Sequence, residues 1–273
     1  MKTILITGCS SGIGYATAHH LKQAGWRVIA SCRKAEDVAR LQFEGLESVQ
    51  LDVTDSAQIE QVFDYINASG GLDAIFCNAG YGQPGCAEDV PREALREIFE
   101  TNVFGCWEVV NHALKIFRRQ NHGKILITSS ILGFAAMHYR AAYNSTKFAL
   151  EGYADTLRHE LHGSNIFVSL IEPGPIQSKF RPNSVVKLQQ YIDLENSYHQ
   201  AFNAKQLARL TAPSNGNPFT LPATACAEAC LTALNSHKPK ARYQVTFPTK
   251  LFWWLKRFLP TTTFDALCRK FGG

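Results

Sequence analysis

Short apolar runs alternate with stretches whose apolar residues recur every three or four positions, from the first residues of the chain onward. Residues 3–7 predict a strand, followed by a helix through Ala16, Leu21 and Ala24. Gly25 stands where that helix should end, since glycine accepts positive φ without a Cβ penalty. Residues 26–32 and 48–52 predict the next strands, and Asp55-Ser56 offers an N-cap for a helix through Ile59, Val62, Phe63 and Ile66. Further strands are predicted over 73–77, 124–129 and 166–171, separated by helical patterns over 93–117 and 143–161. Nearly continuous apolar strands alternating with helices imply an α/β fold, a doubly wound parallel sheet with helices on both faces. In such sheets ligands bind beyond the carboxyl ends of the strands.

Two segments extend this core. Residues 178–221 form a long excursion with a helical middle over 186–210 and a Pro/Gly/Asn-rich exit. Residues 248–273 form an amphipathic tail that mixes Phe252, Trp253, Trp254, Leu255, Phe258 and Leu259 with Lys250, Lys256, Arg257, Arg269 and Lys270. At 273 residues the whole chain suits a single domain. The net charge of +5 comes without a basic stripe interleaved with aromatics, so no nucleic-acid partner is expected. The eight cysteines include no CxxC pair and no Cys/His cluster, so no metal is expected and the thiols read as reduced and structural. The apolar run at residues 4–6 is too short for a secretory signal, and the tail's apolar run is broken by Lys256 and Arg257. A cytoplasmic protein is expected, whose tail has the composition of a peripheral membrane contact.

Candidate chemistry begins with Gly8, Ser10, Ser11, Gly12, Ile13 and Gly14, after the first strand and at the start of the first helix. Glycines there let the backbone approach a pyrophosphate, whose charge the helix N-terminus favours. The spacing is GxxxGxG and no GK[ST] follows, so it is not a P-loop. The second strand ends Cys32-Arg33-Lys34, with no acid until Glu36. A carboxylate there would accept the ribose hydroxyls of NAD, whereas Arg33 can hold a 2′-phosphate through paired charge-assisted bonds. The implied cofactor is NADP(H).

Tyr143 and Lys147 lie four apart in a predicted helix and so share a face. An ammonium roughly 4 Å from a phenol contributes about 4 kcal/mol at an effective dielectric near 20, enough to lower its pKa by about three. Tyr143 then becomes a usable acid/base.

Jointly, Thr7-Gly8-xxx-Gly12-Ile13-Gly14, Asp52-Val53, Asn78-Ala79-Gly80, Asn102, Ser130, Tyr143-xxx-Lys147 and Pro173-Gly174 resemble the short-chain dehydrogenase/reductase family across nearly the whole chain. The resemblance implies a Rossmann-type fold and an oxidoreductase passing hydride between nicotinamide and a carbonyl or alcohol carbon. It implies that Ser130 hydrogen-bonds the substrate oxygen and that Tyr143 moves its proton. Lys147 would grip the nicotinamide ribose and lower the Tyr143 pKa, while Asn102 holds a relaying water. Asn78, Ala79 and Gly80 would stabilise the sheet beside the cofactor, Asp52 and Val53 meet adenine, and Pro173, Gly174, Ile176 and Ser178 border the nicotinamide. Ser129 rivals Ser130, but the spacing to Tyr143 favours Ser130. Cys77 and Ser178 depart from the commoner asparagine and threonine without removing a reacting group.

The resemblance further makes 178–221 a substrate lid, in which Phe180, Tyr191, Tyr198 and Phe202 could line an apolar pocket together with Phe134, Met137 and His138. The run Glu172-Pro173-Gly174-Pro175-Ile176 is most similar to the hydroxysteroid and retinol dehydrogenase branch. A small hydrophobic aldehyde, ketone or alcohol is therefore expected, with a dedicated steroid or retinoid dehydrogenase as the alternative. A non-catalytic NADP(H)-sensing protein is a third reading, against which the complete Asn102/Ser130/Tyr143/Lys147 set argues. A homodimer or homotetramer is expected, built on the helices bearing Asn102 and Tyr143.

Overall fold

The computed structural model describes residues 1–212 and 217–272. Its centre is a sheet of seven strands in the order β3-β2-β1-β4-β5-β6-β7, with every neighbouring pair parallel. The strands are β1 (Thr3–Ile6), β2 (Arg27–Cys32), β3 (Glu47–Gln50), β4 (Ala74–Cys77), β5 (Gly123–Thr128), β6 (Ile166–Glu172) and β7 (Arg242–Gln244). Parallel strands need crossovers, which α1 (Gly12–Gln23), α2 (Ala35–Phe43), α3 (Ser56–Ala68), α4 (Arg92–Phe99), α5 (Gly105–Gln120), α6 (Ala141–Glu160) and α9 (Thr224–Asn235) help to supply. Side chains alternate along each strand, so Leu5 enters one apolar layer while Ile4 and Ile6 enter the other. The first layer packs Phe63, Val109 and Leu150 of α3, α5 and α6; the second packs Leu21, Leu41 and Cys226 of α1, α2 and α9. Strand order reverses between β1 and β4, and their diverging loops open a crevice at the carboxyl edge.

Gly25 leaves α1 at φ 86°, and the Asp55 carboxylate caps α3 by accepting from the N–H groups of Ala57 and Gln58. The helical pattern over 93–117 becomes α4 and α5 joined by a π turn, Glu100–Phe104, that carries Asn102. Such turns insert one extra residue and re-aim the side chains around them.

The excursion differs from its sequence reading. Its middle is two helices, α7 (Phe180–Tyr191) and α8 (Gln200–Thr211), rather than one. The Asp193 carboxylate breaks the pattern by accepting from the N–H groups of Glu195 and Asn196. Part of the Pro/Gly/Asn-rich exit, residues 213–216, lies outside the described residues. The tail is likewise two helices, α10 (Phe247–Phe258) and α11 (Thr261–Phe271), divided at Pro260. Among the described residues no helix is long and apolar enough to cross a membrane.

Candidate active site

The loops leaving β1, β4, β5 and β6 meet at the carboxyl edge. Gly8 and Gly12 adopt φ values of 73° and 62°, a region that favours glycine. A Cβ on Gly14 would lie 2.4 Å from the Gly8 carbonyl oxygen, and one on Gly8 would lie 2.8 Å from Ala79 Cα. The glycines thus let α1 and the loop after β4 close on the turn. Asn78 ties the strands together: its Nδ2 donates to the carbonyls of Thr7 and Gly8 at 3.1 and 3.2 Å, and the N–H groups of Asn78 and Ala79 donate to Thr7 Oγ1, each at 3.0 Å. Ser11 makes no side-chain cap to α1, and the first turn holds no acidic residue. The free N–H groups and the positive end of the helix macrodipole make a cradle that fits a pyrophosphate.

At the end of β2, Arg33 is exposed. The neighbouring cations are engaged: Lys34 pairs with Glu36 at 3.1 Å, and Arg40 with Asp37 and Glu44, each at 3.0 Å. Arg40 also donates to the Ser10 carbonyl at 2.8 Å, bracing the glycine turn, a role with no local signal in the sequence. Asp52 accepts from the Thr54 N–H and hydroxyl at 3.0 and 2.8 Å. Val53 is buried, and its carbonyl would lie 2.4 Å from a Cβ on Gly105, so α5 approaches closely at that glycine.

Ser129 and Ser130 follow β5 but have different partners. The Ser129 hydroxyl is buried and donates to Glu151. Ser130 Oγ accepts from the Leu132 N–H at 3.1 Å, and its hydroxyl acts to lower the Tyr143 pKa. Lys147, one turn beyond Tyr143, places Nζ 2.7 Å from the Thr128 carbonyl oxygen and 5.5 Å from the Tyr143 ring centre. Asn102 is buried: Oδ1 accepts from the Tyr81 N–H at 3.0 Å, and Nδ2 donates to the Tyr81 carbonyl at 3.0 Å and to Thr146 Oγ1 at 3.2 Å. A Cβ on Gly80 would lie 2.9 Å from Asn102 Oδ1.

The electrostatics depart from the simple pairwise expectation. Burial pushes the Tyr143 phenol above its ordinary range, with the Ser130 hydroxyl opposing it. Burial likewise pushes Lys147 down to about 8, against the pull of Cys106 and Glu151. Pairwise attraction alone requires a fully charged ammonium and a phenol whose solvation is unchanged. In the protein both groups lose water, and desolvation disfavours the charged form of each.

The family profile described as short chain dehydrogenase matches residues 2–188. The chain belongs to the short-chain dehydrogenase family. It is 37% identical over 268 residues to the uncharacterized oxidoreductase YbbO of Escherichia coli (strain K12), covering 97% of this chain and 93% of that protein. It is 30% identical to 17-beta-hydroxysteroid dehydrogenase type 1 of Homo sapiens, over 94% of this chain and 78% of that protein. A solved short-chain dehydrogenase from Streptomyces avermitilis has a TM-score of 0.78 at 26% identity, covering 97% of this chain and 93% of that one.

Behind the catalytic edge, the dehydrogenase holds a carboxylate cluster that the sequence reading missed. Arg242 of β7 reaches Glu151 Oε2 at 2.9 Å, Asp155 Oδ1 at 2.6 Å and Glu172 Oε1 at 3.2 Å. Gln244 donates to Glu172 Oε2 at 2.6 Å. Arg158 shares Asp155 with Arg242, so two guanidiniums face three carboxylates. Burial pushes Glu172 up to about 8, and the nearby Glu151 adds to the shift. Glu172 and Glu151 thus hold a proton more readily than a solvated carboxyl pair.

The excursion leaves the sheet at Pro173-Gly174. A Cβ on Gly174 would lie 2.2 Å from Thr246 Oγ1, so the start of α10 presses on this loop. Ile176 bridges to Leu221, and Gln177 donates to the Leu221 carbonyl at 2.9 Å, closing the neck of the excursion. Ser178, just beyond, would lie 3.2 Å through its Cβ from a Cβ on Gly12. Phe180 packs edge-on against Tyr143 with ring centres 5.2 Å apart, and Phe202 packs on His138 and Tyr139 at 5.3 and 5.4 Å. Tyr198 is 93% exposed, and the Tyr191 hydroxyl is bound to Glu97. Phe134 and Met137 pack with Phe252 and Phe264 of the tail, bracing the loop between Ser130 and Tyr143.

Proposed function

We propose that this dehydrogenase uses NADP(H) to transfer a hydride to or from the carbonyl or alcohol carbon of a hydrophobic aldehyde, ketone or alcohol. The observation that carries the reading is the half-buried Tyr143, one helical turn before Lys147, whose Nζ lies 5.5 Å from the Tyr143 ring centre. A bound NADPH would supply the hydride. Ser130 donates to the substrate oxygen and Tyr143 delivers its proton. Lys147, anchored on the Thr128 carbonyl, binds the nicotinamide ribose and replaces the proton through a water beside Asn102.

The exposed Arg33 at the end of β2, beside cations already paired, supports preference for a 2′-phosphate. Phe180 against Tyr143 supports an apolar substrate, as does the likeness to a hydroxysteroid dehydrogenase. In this reading residues 178–221 are a substrate lid and residues 248–273 an extension of the single domain. NADPH oxidation by the purified chain across long-chain aldehydes, ketosteroids and retinal is the test. Broad turnover of aldehydes and ketones is expected; turnover confined to a steroid or retinoid would assign the dedicated alternative. Tyr143→Phe should lower turnover by about a hundredfold or more while NADPH still binds. Undiminished turnover in that variant would refute the assignment.

A further inference from the structure

The inner and outer faces of α10 differ in what they touch. On the inner face, Phe252 packs against Phe264 with ring centres 5.9 Å apart, and Lys256 Nζ donates to the Phe134 carbonyl at 2.5 Å. On the outer face, Phe247, Leu251, Trp254 and Phe258 remain 60%, 41%, 56% and 74% exposed. Their spacing of four, three and four residues sets them in one stripe along the helix. Phe219, two residues before the neck at Leu221, stacks on Phe247 at 5.6 Å, and Trp254 stacks on Phe258 at 5.9 Å. The result is a continuous apolar surface from the excursion to the end of α10, whereas exposed apolar residues on soluble proteins are usually scattered.

Charge identifies what covers it. α10 carries Lys250, Lys256 and Arg257 and no acidic residue. Residues 248–273 hold five basic residues against Asp265 alone, in a chain whose net charge is +5, so nearly all of the excess lies in this tail. Lys250 and Arg257 are exposed and seven residues apart, on one flank of the stripe; Arg257 also lies 3.6 Å over the Trp253 ring. An aromatic stripe bordered by cations suits the boundary between acyl chains and acidic headgroups. A second copy of the chain would bring like charges together across a two-fold axis. We infer that the outer face of α10, extended by Phe219, docks on an anionic phospholipid surface, with the helix lying in the plane of the headgroups.

Co-sedimentation with phosphatidylcholine vesicles, with and without phosphatidylglycerol, tests this. The wild-type protein should pellet with the phosphatidylglycerol vesicles and be partly released by salt. Trp254→Ser combined with Phe258→Ser should weaken partitioning by about tenfold or more while leaving the melting temperature unchanged. Lys250→Glu combined with Arg257→Glu should remove the preference for phosphatidylglycerol. The inference is overturned if the wild-type protein stays in the supernatant with anionic vesicles, or if the serine variant pellets equally well. It is also overturned if gel filtration without lipid shows an assembly that the serine variant splits, because a second copy then covers the stripe. None of these readouts depends on turnover, so the inference stands or falls apart from the proposed reaction.

Discussion

The Ser129 hydroxyl is bound to Glu151, one helical turn beyond Lys147, which withholds it from the cleft and leaves Ser130 as the hydroxyl beside Tyr143. The two serines should therefore differ sharply on substitution. Ser130→Ala is expected to lower kcat by about a hundredfold, as for loss of a transition-state donor. Ser129→Ala should keep kcat within about tenfold while losing about 1–3 kcal/mol of stability, because Glu151 loses a buried partner. Steady-state kinetics and urea unfolding on the two variants check the contrast.

Lys147 makes stability oppose function. Its folded pKa, about 8, is below its ordinary 10.5, so its contribution is fully favourable above pH 10.5 and is lost as pH falls through 8. At pH 7 the buried ammonium costs about 3 kcal/mol, offset by about 1 kcal/mol from its bond to Thr128. Lys147→Met should unfold about 2 kcal/mol harder than wild type at pH 7, with the gap closing towards pH 10, and should lose turnover. Denaturant titrations across that range measure it.

Glu172 has the opposite sign. Its folded pKa, about 8, is above the ordinary carboxyl value of 4.5, so the stability it contributes is present below pH 4.5 and lost as pH rises through 8. Glu172→Gln copies the protonated form. The variant's melting temperature should depend less on pH between 5 and 8 than that of the wild type; equal slopes would assign the proton to another group.

Arg33→Glu should raise KM for NADPH by about a hundredfold, combining loss of a charge-assisted pair with repulsion. KM for NADH should change by less than about threefold. Parallel titrations of the two cofactors separate specificity from general damage.

Phe104, Trp107 and Phe148 are 53%, 47% and 39% exposed along the π turn, α5 and α6. Trp107 stacks on Tyr153 at 4.0 Å, which flattens this face. A homodimer or homotetramer built on it predicts that Trp107→Glu with Phe148→Glu yields a monomer in sedimentation equilibrium.

The order of most strands and helices and the shared face of Tyr143 and Lys147 were legible because each is written locally. Thr7 to Gly14 sits in one turn, and Tyr143 and Lys147 in one helical turn. The cluster around Glu151 was not legible: Arg242 reaches it across 91 residues, and Gln244 reaches Glu172 across 72. β7, with only Arg242, Tyr243 and Gln244, all half-buried, has no apolar run to announce it, and α2 buries only Leu41. The direction of the Tyr143 shift was also beyond the sequence. Residue spacing shows that an amine stands near a phenol but not how much water either retains.

The bridge between Ile176 and Leu221 has an engineering consequence. It gathers both ends of a segment more than forty residues long to one point beside the sheet. Changes in α7 and α8 leave that neck in place and reach the sheet's edge through Phe180 on Tyr143 and Phe202 on His138 and Tyr139. A segment exchanged at that neck would keep its two attachment points only if the replacement preserved the aromatic contacts to Tyr143, His138 and Tyr139.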